Sequence, residues 1–305
     1  MTKNKSKIKH FAMVPVLLLM AALFVACNSK TAPPLPDKVV VQLKWVHQAQ
    51  FAGFYVAEKQ GFYADQKIDV TLKAWQPQRP LAEKIATLSK GQSQFAIIGG
   101  DTFLKARATG LPIVAIAAIF QRNPYVYATL KGTKISRPRD LIGKKIMIAP
   151  DGRTQHNALL LKLGIDPTKI TEIPFKRGTT ALASGEIDVH LMYRTGTAIT
   201  FEEKGIALDY MWVDDYGVRF YADTIVTTER LARENPKLVE GFLKATIKGW
   251  QYAIENFQDA VEMTLAYASE KTRDRQTRMI KIQTQLIHTG KSPIGWMDKS
   301  VWQRM

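Results

Sequence analysis

The chain has 305 residues, of which 46% are hydrophobic and 23% are charged, and its formal net charge is +16 at pH 7. These values are typical of a globular protein that is long enough for two lobes, each with its own core. Lysines and arginines are scattered among acidic residues without a basic run interleaved with aromatic ones, so nucleic acid is not predicted as a partner. A single cysteine excludes an intrachain disulfide.

Residues 1–26 have the organisation of a secretory signal peptide. Four lysines precede an uncharged stretch, residues 11–26, that ends in small residues. A transmembrane helix needs about 20 apolar residues, and this stretch is shorter. Removal of the four lysines would lower the net charge from +16 to +12.

Cys27 follows this stretch directly. The segment thus resembles a bacterial lipoprotein signal, in which the cysteine becomes the lipidated first residue, although Phe24 stands where that motif prefers leucine. The resemblance implies a lipid anchor at Cys27, a tether over residues 27–37 and a place on the extracytoplasmic or periplasmic face of the cell membrane. An uncleaved anchor and an ordinary signal peptide are the alternatives.

Strands and helices alternate along residues 39–120. Residues 39–45 are β-branched and apolar and predict a buried strand, and the helix formers at 52–59 predict a helix that ends at Gly61. The elements that follow are a strand at 67–75, a helix at 78–90, a strand at 94–100, a helix at 102–109 and a strand at 111–120. This alternation predicts a parallel sheet.

A second α/β unit follows a crossing point at residues 121–124. Its predicted elements are strands at 125–130, 144–150, 170–175, 187–193 and 208–213, and helices at 136–143, 155–163, 179–184 and 197–204. Residues 214–223 then return to a strand-like segment at 224–228. The prediction is a discontinuous first lobe, residues 38–122 and 224–305, and a second lobe, residues 123–223.

Residues 229–305 have a helical period. Asn235 followed by proline predicts a helix start, and five residues at i+3/i+4 spacing predict one buried face. These five are Leu238, Phe242, Ala245, Gly249 and Ala253. Two α/β lobes, two crossings and a helical tail predict a hinged molecule that closes on a small ligand. Because the last residues have the pattern of a helix start, we expect the gene product to be longer or apolar surface to stay uncovered.

The end of the first predicted strand carries the first candidate ligand-binding residues. Trp45 ends this strand, and Gln50 and Phe51 lie between it and the next helix, where open α/β sheets bind ligands. Aromatic rings beside an amide suit a flat molecule that forms hydrogen bonds. Packing of the strand–helix corner is the alternative.

Other candidates follow later strands. Gly100 would allow close backbone approach, and Asp101 is either a helix cap or a carboxylate that accepts hydrogen bonds from an exocyclic amine. Arg153, at a predicted helix start, is either an anion-binding group or a solvated side chain. Arg194 follows a buried strand, where a charge needs a partner.

Three residues complete the candidate set, Tyr193, Tyr221 and Asp223. Either tyrosine is predicted to face the rings of the first lobe across a planar ligand, and Asp223 is predicted to face the cleft or stabilise the hinge. The histidines lack metal-ligand spacing, so no metal site is predicted.

Five segments resemble the thiamine-precursor-binding family of bacterial solute-binding proteins, which also contains the fungal thiamine-pyrimidine synthases. They cover most of residues 39–250 and read LKWVHQAQFAGFYVAEKQGFY, FAIIGGDTFLKARATGLPIVAIAAIFQRNP, DLIGKKIMI, SGEIDV and DYGVRFYADTIVTTERLARENPKLVEGFLKATIKGW. The resemblance implies an α/β, two-lobed periplasmic-binding-protein fold (type II-like), an ABC permease as partner and a small heteroaromatic ligand, such as a thiamine pyrimidine precursor. A synthase-like enzyme of thiamine biosynthesis is the alternative function, and a periplasmic sensor would need a signalling domain.

Two departures from the family pattern bear on function. Where the synthases use a lysine for pyridoxal phosphate and a reacting histidine, this chain has Ile98 and Thr102, and DYGVRFYAD replaces their cysteine cluster. A binding protein without enzymatic activity or cofactor is therefore predicted. Residues 196–198 also lack a carboxylate of relatives, and Arg194 is predicted to take its place and bind a carbonyl, carboxylate or phosphate edge.

Overall fold

Residues 37–76, 81–269 and 272–305 are described by the computed structural model. The predicted signal peptide, Cys27 and the tether up to residue 36 lie outside the described residues. None of the helices within these ranges is long and apolar enough to cross a bilayer.

The strands form two sheets. They are β1 (Asp37–Gln42), β2 (Ile68–Lys73), β3 (Phe95–Ile98), β4 (Ile113–Phe120), β5 (Tyr125–Leu130), β6 (Lys145–Ile148), β7 (Thr171–Ile173), β8 (Val189–Tyr193), β9 (Leu208–Trp212) and β10 (Ala222–Thr228). The helices are α1 (Ala52–Lys59), α2 (Phe62–Asp65), α3 (Leu81–Ser89), α4 (Gly100–Ala108), α5 (Arg153–Leu163), α6 (Thr180–Ala183), α7 (Thr197–Glu203), α8 (Glu229–Glu234), α9 (Pro236–Glu255), α10 (Phe257–Leu265), α11 (Arg273–Ile287) and α12 (Lys299–Arg304).

The first sheet has the order β2-β1-β3-β10-β4 and is mixed. β1 runs parallel to β2 and β3, whereas β10 runs antiparallel to β3 and β4. The four strands of the predicted parallel sheet run in one direction, since β3 and β4 are both antiparallel to β10, and the sequence did not predict the direction of β10. Ala222 pairs with Phe120, so the returning chain enters this sheet at the end where it left and must run back.

The second sheet has the order β7-β6-β8-β5-β9. β6 runs parallel to β7 and β8, as expected for strands joined by crossover helices. β5 runs antiparallel to β8 and β9, because it enters directly from the crossing instead of through a helix. Each sheet has its own core, with Phe95 stacked on Phe242 at 3.9 Å in the first and Leu159 buried with Leu191 in the second.

The helical tail covers the first sheet through contact between α1 and α9. The predicted face of α9 is buried, and the Asn235 side chain accepts a hydrogen bond from the Leu238 amide at 3.2 Å, so both predictions are confirmed. A Cβ atom at Gly249 would lie 2.1 Å from the Gly53 carbonyl oxygen. The two helices thus approach to a distance that only glycine permits.

Candidate functional site

A cavity of about 610 Å³ lies between the two sheets. The aromatic and charged residues of its wall come from both, namely Lys44, Trp45, Trp75, Lys84, Asp101, Tyr125, Asp151, Phe175, Arg177, His190, Tyr193, Tyr221 and Arg275. The first turns of α4 and α5 reach the wall through Asp101 and Gln155, and Asp151 reaches it just before α5 begins. The carboxyl ends of parallel strands and the starts of the following helices thus converge on one cleft.

Lys44 joins the two sides of this cavity. Its ammonium donates to the Tyr193 hydroxyl at 2.7 Å and lies 3.4 Å from the Asp223 carboxylate. The Gln50 amide donates to both Asp223 oxygens at 3.1 and 2.8 Å. Asp223 is 2% exposed and has a φ of 50°, a left-handed conformation that aspartate tolerates better than most residues.

Burial disfavours the charged form of each ionisable residue in this network, whereas the hydrogen bonds and opposite charges of the network favour it. Burial raises the pKa of Asp223, while Lys44 and Gln50 act in the opposite direction. Burial lowers the pKa of Lys44, but Tyr193, Asp223 and Asp151 outweigh it and leave that pKa above its ordinary value. We conclude that Lys44 is protonated at neutral pH and balances Asp223.

Lys84 is a second lysine in the wall, and it is 2% exposed. Its ammonium donates to the Lys44 carbonyl at 2.5 Å and lies 5.1 Å from the centre of the Trp75 ring. Within the described residues, no carboxylate forms an ion pair with it. Burial, followed by repulsion from the Lys44 charge, lowers the pKa of Lys84 to about 7.

The opposite wall carries a buried neutral imidazole. His190 is 1% exposed, and neither ring nitrogen has a hydrogen-bond partner. Burial lowers its pKa to about 4, so at neutral pH it offers one donor and one acceptor. Tyr125 also lines the cavity, with its ring at 89° to that of Tyr193.

Two tryptophans give the first wall its aromatic surface. The Trp75 amide donates to the Trp45 carbonyl at 3.0 Å, which holds the two residues side by side. The Arg177 guanidinium, from the second half of the cavity, lies 5.6 Å from the Trp45 ring centre. A planar ring system stacked on Trp45 would thus be in reach of both walls.

Half of the predicted site residues line this cavity. They are Trp45, Gln50, Asp101, Tyr193 and Tyr221. Asp101 lies inside the first turn of α4 and not at its cap position, which Gly99 occupies. The Tyr221 hydroxyl also accepts a hydrogen bond from the Asp298 amide at 2.7 Å, which ties the tail to the returning segment.

The other predicted residues lie away from the cavity wall. Phe51 is fully buried in the first core because the short turn before α1 directs it inward, and Gly100 packs on the Tyr221 backbone. Arg153 pairs with Glu172 at the surface, and Arg194 pairs with Glu202 at 2.8 Å. Asp223 lies behind the wall, where it balances Lys44.

Sequence reasoning missed Lys44, Lys84 and His190. Lys44 interrupts the apolar run VVVQLKW, which was a usable signal for a paired buried charge. Lys84 lies on an amphipathic helix, where a lysine usually faces solvent. No cluster of three or more potential metal-ligating side chains occurs in the part of the chain that the structure describes.

The two sheets and the cavity between them define a two-lobed periplasmic-binding-protein fold, as the sequence predicted. The periplasmic aliphatic sulphonate binding protein SsuA from Escherichia coli superposes with a TM-score of 0.70, at 12% identity, over 87% of this chain and 88% of that chain. The family model described as NMT1/THI5 like matches residues 48–260, so the chain belongs to this family.

Curated relatives include binding proteins and enzymes. The riboflavin-binding protein RibY of Chloroflexus aurantiacus is 25% identical over 93% of this chain and 83% of its own length. The formylaminopyrimidine-binding protein of Halalkalibacterium halodurans is 24% identical over 95% of this chain and 91% of its own length. The 4-amino-5-hydroxymethyl-2-methylpyrimidine phosphate synthase of Legionella pneumophila is 24% identical over 75% of this chain and 73% of its own length. The predicted family, which unites such binding proteins and synthases, is thus confirmed.

Proposed function

We propose that this protein is the solute-binding component of an ABC importer and encloses a small heteroaromatic ligand between its lobes. The observation that carries this proposal is the cavity of about 610 Å³ with aromatic and charged residues from both sheets. At about 30 Å³ per water molecule, this volume equals that of roughly 20 waters. It therefore suits a ring system with substituents.

Contacts across the cavity support a clamp that closes on its ligand. Lys105 of α4 donates to the Thr154 hydroxyl of α5 at 2.5 Å, and Arg275 of α11 pairs with Glu203 of α7 at 2.6 Å. Together with the Lys44–Tyr193 hydrogen bond, these contacts join the two halves directly. The division proposed from the sequence, residues 38–122 with 224–305 and residues 123–223, places one partner of each pair in each lobe.

The relatives and the amino terminus support an extracytoplasmic location. RibY and the formylaminopyrimidine-binding protein carry binding functions in their names, which favours a heteroaromatic ligand and a permease partner for this chain. Cys27 is proposed as the lipid-anchored first residue of the mature protein. Mass spectrometry of protein from the host membrane should detect a diacylated amino terminus, and Cys27→Ser should abolish it.

Ligand-dependent thermal stabilisation tests the binding function. The domain from residue 37 onward is melted with each of a panel of pyrimidines, thiamine and flavins. A ligand at 100 times its Kd stabilises the folded state by about 2.7 kcal/mol. A clear rise in Tm with one class is expected, and a flat response across the panel would contradict the proposal.

The second candidate is a synthase-like enzyme, and Lys84 is the observation that favours it. A buried lysine of lowered pKa is the type of amine that forms Schiff bases. Ile98 and Thr102 line the cavity but offer neither the amine nor the imidazole of the synthases. An absorbance band with pyridoxal phosphate that borohydride shifts, and that Lys84→Met lacks, would favour the enzyme.

A further inference from the structure

Lys84 is a buried cation at the cavity wall without a counter-ion among the described residues. A lysine ammonium has three donors, and one of them is used by the Lys44 carbonyl. The Trp75 ring covers another side of the ammonium at 5.1 Å. At least one donor therefore remains for a group inside the cavity, and a buried ammonium is costly unless such a group is present.

The nearby acids do not provide this group. Asp223 is occupied by Lys44 and Gln50, and Asp151, on the other wall, makes no ion pair with Lys84. The charged lining residues are four cations, Lys44, Lys84, Arg177 and Arg275, and two anions, Asp101 and Asp151. Lys44 is balanced by Asp223, and Arg275 is balanced by Glu203, so the sum of the lining charges does not decide the sign of the ligand. The buried ammonium of Lys84, which has no ion-pair partner among the described residues, is what favours a negatively charged group.

We propose that the ligand is a heteroaromatic molecule that carries an oxyanion, either a carboxylate or a phosphate, and that this oxyanion binds the Lys84 ammonium beside Trp75. The inference rests on the proposed binding function and specifies its ligand class. The ring system would lie near Trp45, and the oxyanion would accept a hydrogen bond from the Lys84 ammonium. Charge-assisted hydrogen bonds of this kind are about twice as strong as neutral ones.

A purely structural role for Lys84 is the competing account. In that case the ammonium only holds the Lys44 carbonyl and packs on Trp75, and ligand charge would not matter. The two accounts differ in one readout, the preference for an anionic over a neutral form of the same ring. The unmodified protein can be tested for this preference, so the result does not depend on whether a variant folds.

Calorimetric titration of the protein with three matched pairs measures this preference. The pairs are 4-amino-5-hydroxymethyl-2-methylpyrimidine and its phosphate, riboflavin and its 5′-phosphate, and uracil and its 6-carboxylate. The oxyanion member of at least one pair should bind about 10-fold tighter or more, since hydrogen bonds to charged groups are among the strong ones. The pairs also distinguish a phosphate from a carboxylate.

Three variants then assign the preference to Lys84. Lys84→Met should reduce the affinity for the oxyanion member to that for its neutral partner, and Lys84→Arg, which keeps the charge, should retain most of the preference. Lys90→Met, at an exposed lysine just after α3, is the matched control and should change neither.

The possible failures are distinguishable. Equal or tighter binding of the neutral member in every pair that binds would overturn the inference and leave the proposed binding function intact. A preference that survives in Lys84→Met would overturn the assignment to Lys84. If no member of any pair binds, the proposed function for these ring classes is wrong, and the inference that rests on it is wrong too.

Discussion

The two walls of the cavity differ in how their polar groups are satisfied. On the first wall, Lys44, Gln50 and Asp223 form a closed network of hydrogen bonds and opposite charges. On the second wall, both ring nitrogens of His190 and the hydroxyl of Tyr125 are buried without a hydrogen-bond partner. Lys84 belongs to the first wall but resembles the second, because its charge has no ion-pair partner in the described residues.

This difference separates two roles that polar groups can have near a binding site. A satisfied network holds the wall in one geometry, and its loss should lower stability. Unsatisfied buried groups cost stability in the unliganded protein, and a ligand can recover that cost. Substitutions in the satisfied network should therefore lower stability, whereas substitutions of the unsatisfied groups should not lower it and should weaken ligand binding.

The largest effect is expected for Asp223→Ala. It leaves Lys44 buried without its carboxylate, and breaking a buried ion pair from one side costs about 3–5 kcal/mol. We expect the free energy of unfolding, measured by denaturant titration, to fall by this amount. Asp65→Ala, at an exposed aspartate of α2, is the control. An equal fall in the free energy of unfolding for this variant would show that the loss does not come from the buried ion pair.

Lys84→Met should raise the stability of the unliganded protein, in contrast to Asp223→Ala. Burial, and then repulsion from Lys44, lowers the pKa of Lys84 from 10.5 to about 7 in the folded state, while Asp151 and Asp223 act in the opposite direction. The unfolded chain thus binds the proton more strongly between pH 7 and 10.5, and the contribution of Lys84 to stability rises with pH across that window.

The variant should therefore be more stable than the parent by about 1–3 kcal/mol at pH 6, and this gain should shrink by pH 9. Thermal melts at both pH values measure it. A variant that is less stable than the parent at pH 6 would show that the hydrogen bond to the Lys44 carbonyl outweighs the cost of the buried charge.

Trp45→Ala should affect affinity more than stability. Trp45 is half-buried in the cavity wall, outside the fully buried core. Loss of one aromatic stacking face is worth about 1–2 kcal/mol, or roughly 5- to 30-fold in Kd. Trp296→Ala, at a tryptophan that is 56% exposed, is the matched control for calorimetric titration. Equal affinities of Trp45→Ala and the parent would place the ligand elsewhere.

His190→Leu is expected to have the smallest effect at neutral pH. Removal of an imidazole whose nitrogens are unpaired should change the free energy of unfolding by less than about 1 kcal/mol, while affinity falls about 3- to 10-fold as one hydrogen bond to the ligand is lost.

Acid pH should enlarge the difference in stability between His190→Leu and the parent. Burial lowers the pKa of His190 from 6.5 to about 4, so the parent loses stability as pH falls through that interval. Thermal melts at pH 5 and 7 should show that the variant loses less stability in acid than the parent does. An identical loss would show that His190 is not the cause of the acid sensitivity.

The sequence predicted local elements well because their signals are local. The Asn235 cap and the buried face of α9 follow from residues next to each other in the chain. The antiparallel direction of β10 does not follow from neighbouring residues, since it depends on where the chain leaves the first sheet at Phe120.

Some of the candidate residues that follow strands line the cavity, whereas a lining residue on a helix face was not predicted. Trp45, a candidate from the strand–helix rule, and Asp101 line the cavity. Lys84 lines it too but was not predicted, because periodicity cannot show which part of α3 faces a cavity. Phe51 and Arg194 were misplaced relative to the wall for a related reason. Each lies one position from a lining residue, Gln50 and Tyr193, and neighbouring side chains point in different directions.

Native mass spectrometry of protein purified from its own host can identify the ligand that the cavity holds. We expect a small-molecule adduct that is lost on denaturation, that contains an aromatic heterocycle and an oxyanion, and that Trp45→Ala and Lys84→Met retain to a much smaller extent. An adduct of neutral composition, or one that both variants retain as fully as the parent, would contradict this expectation.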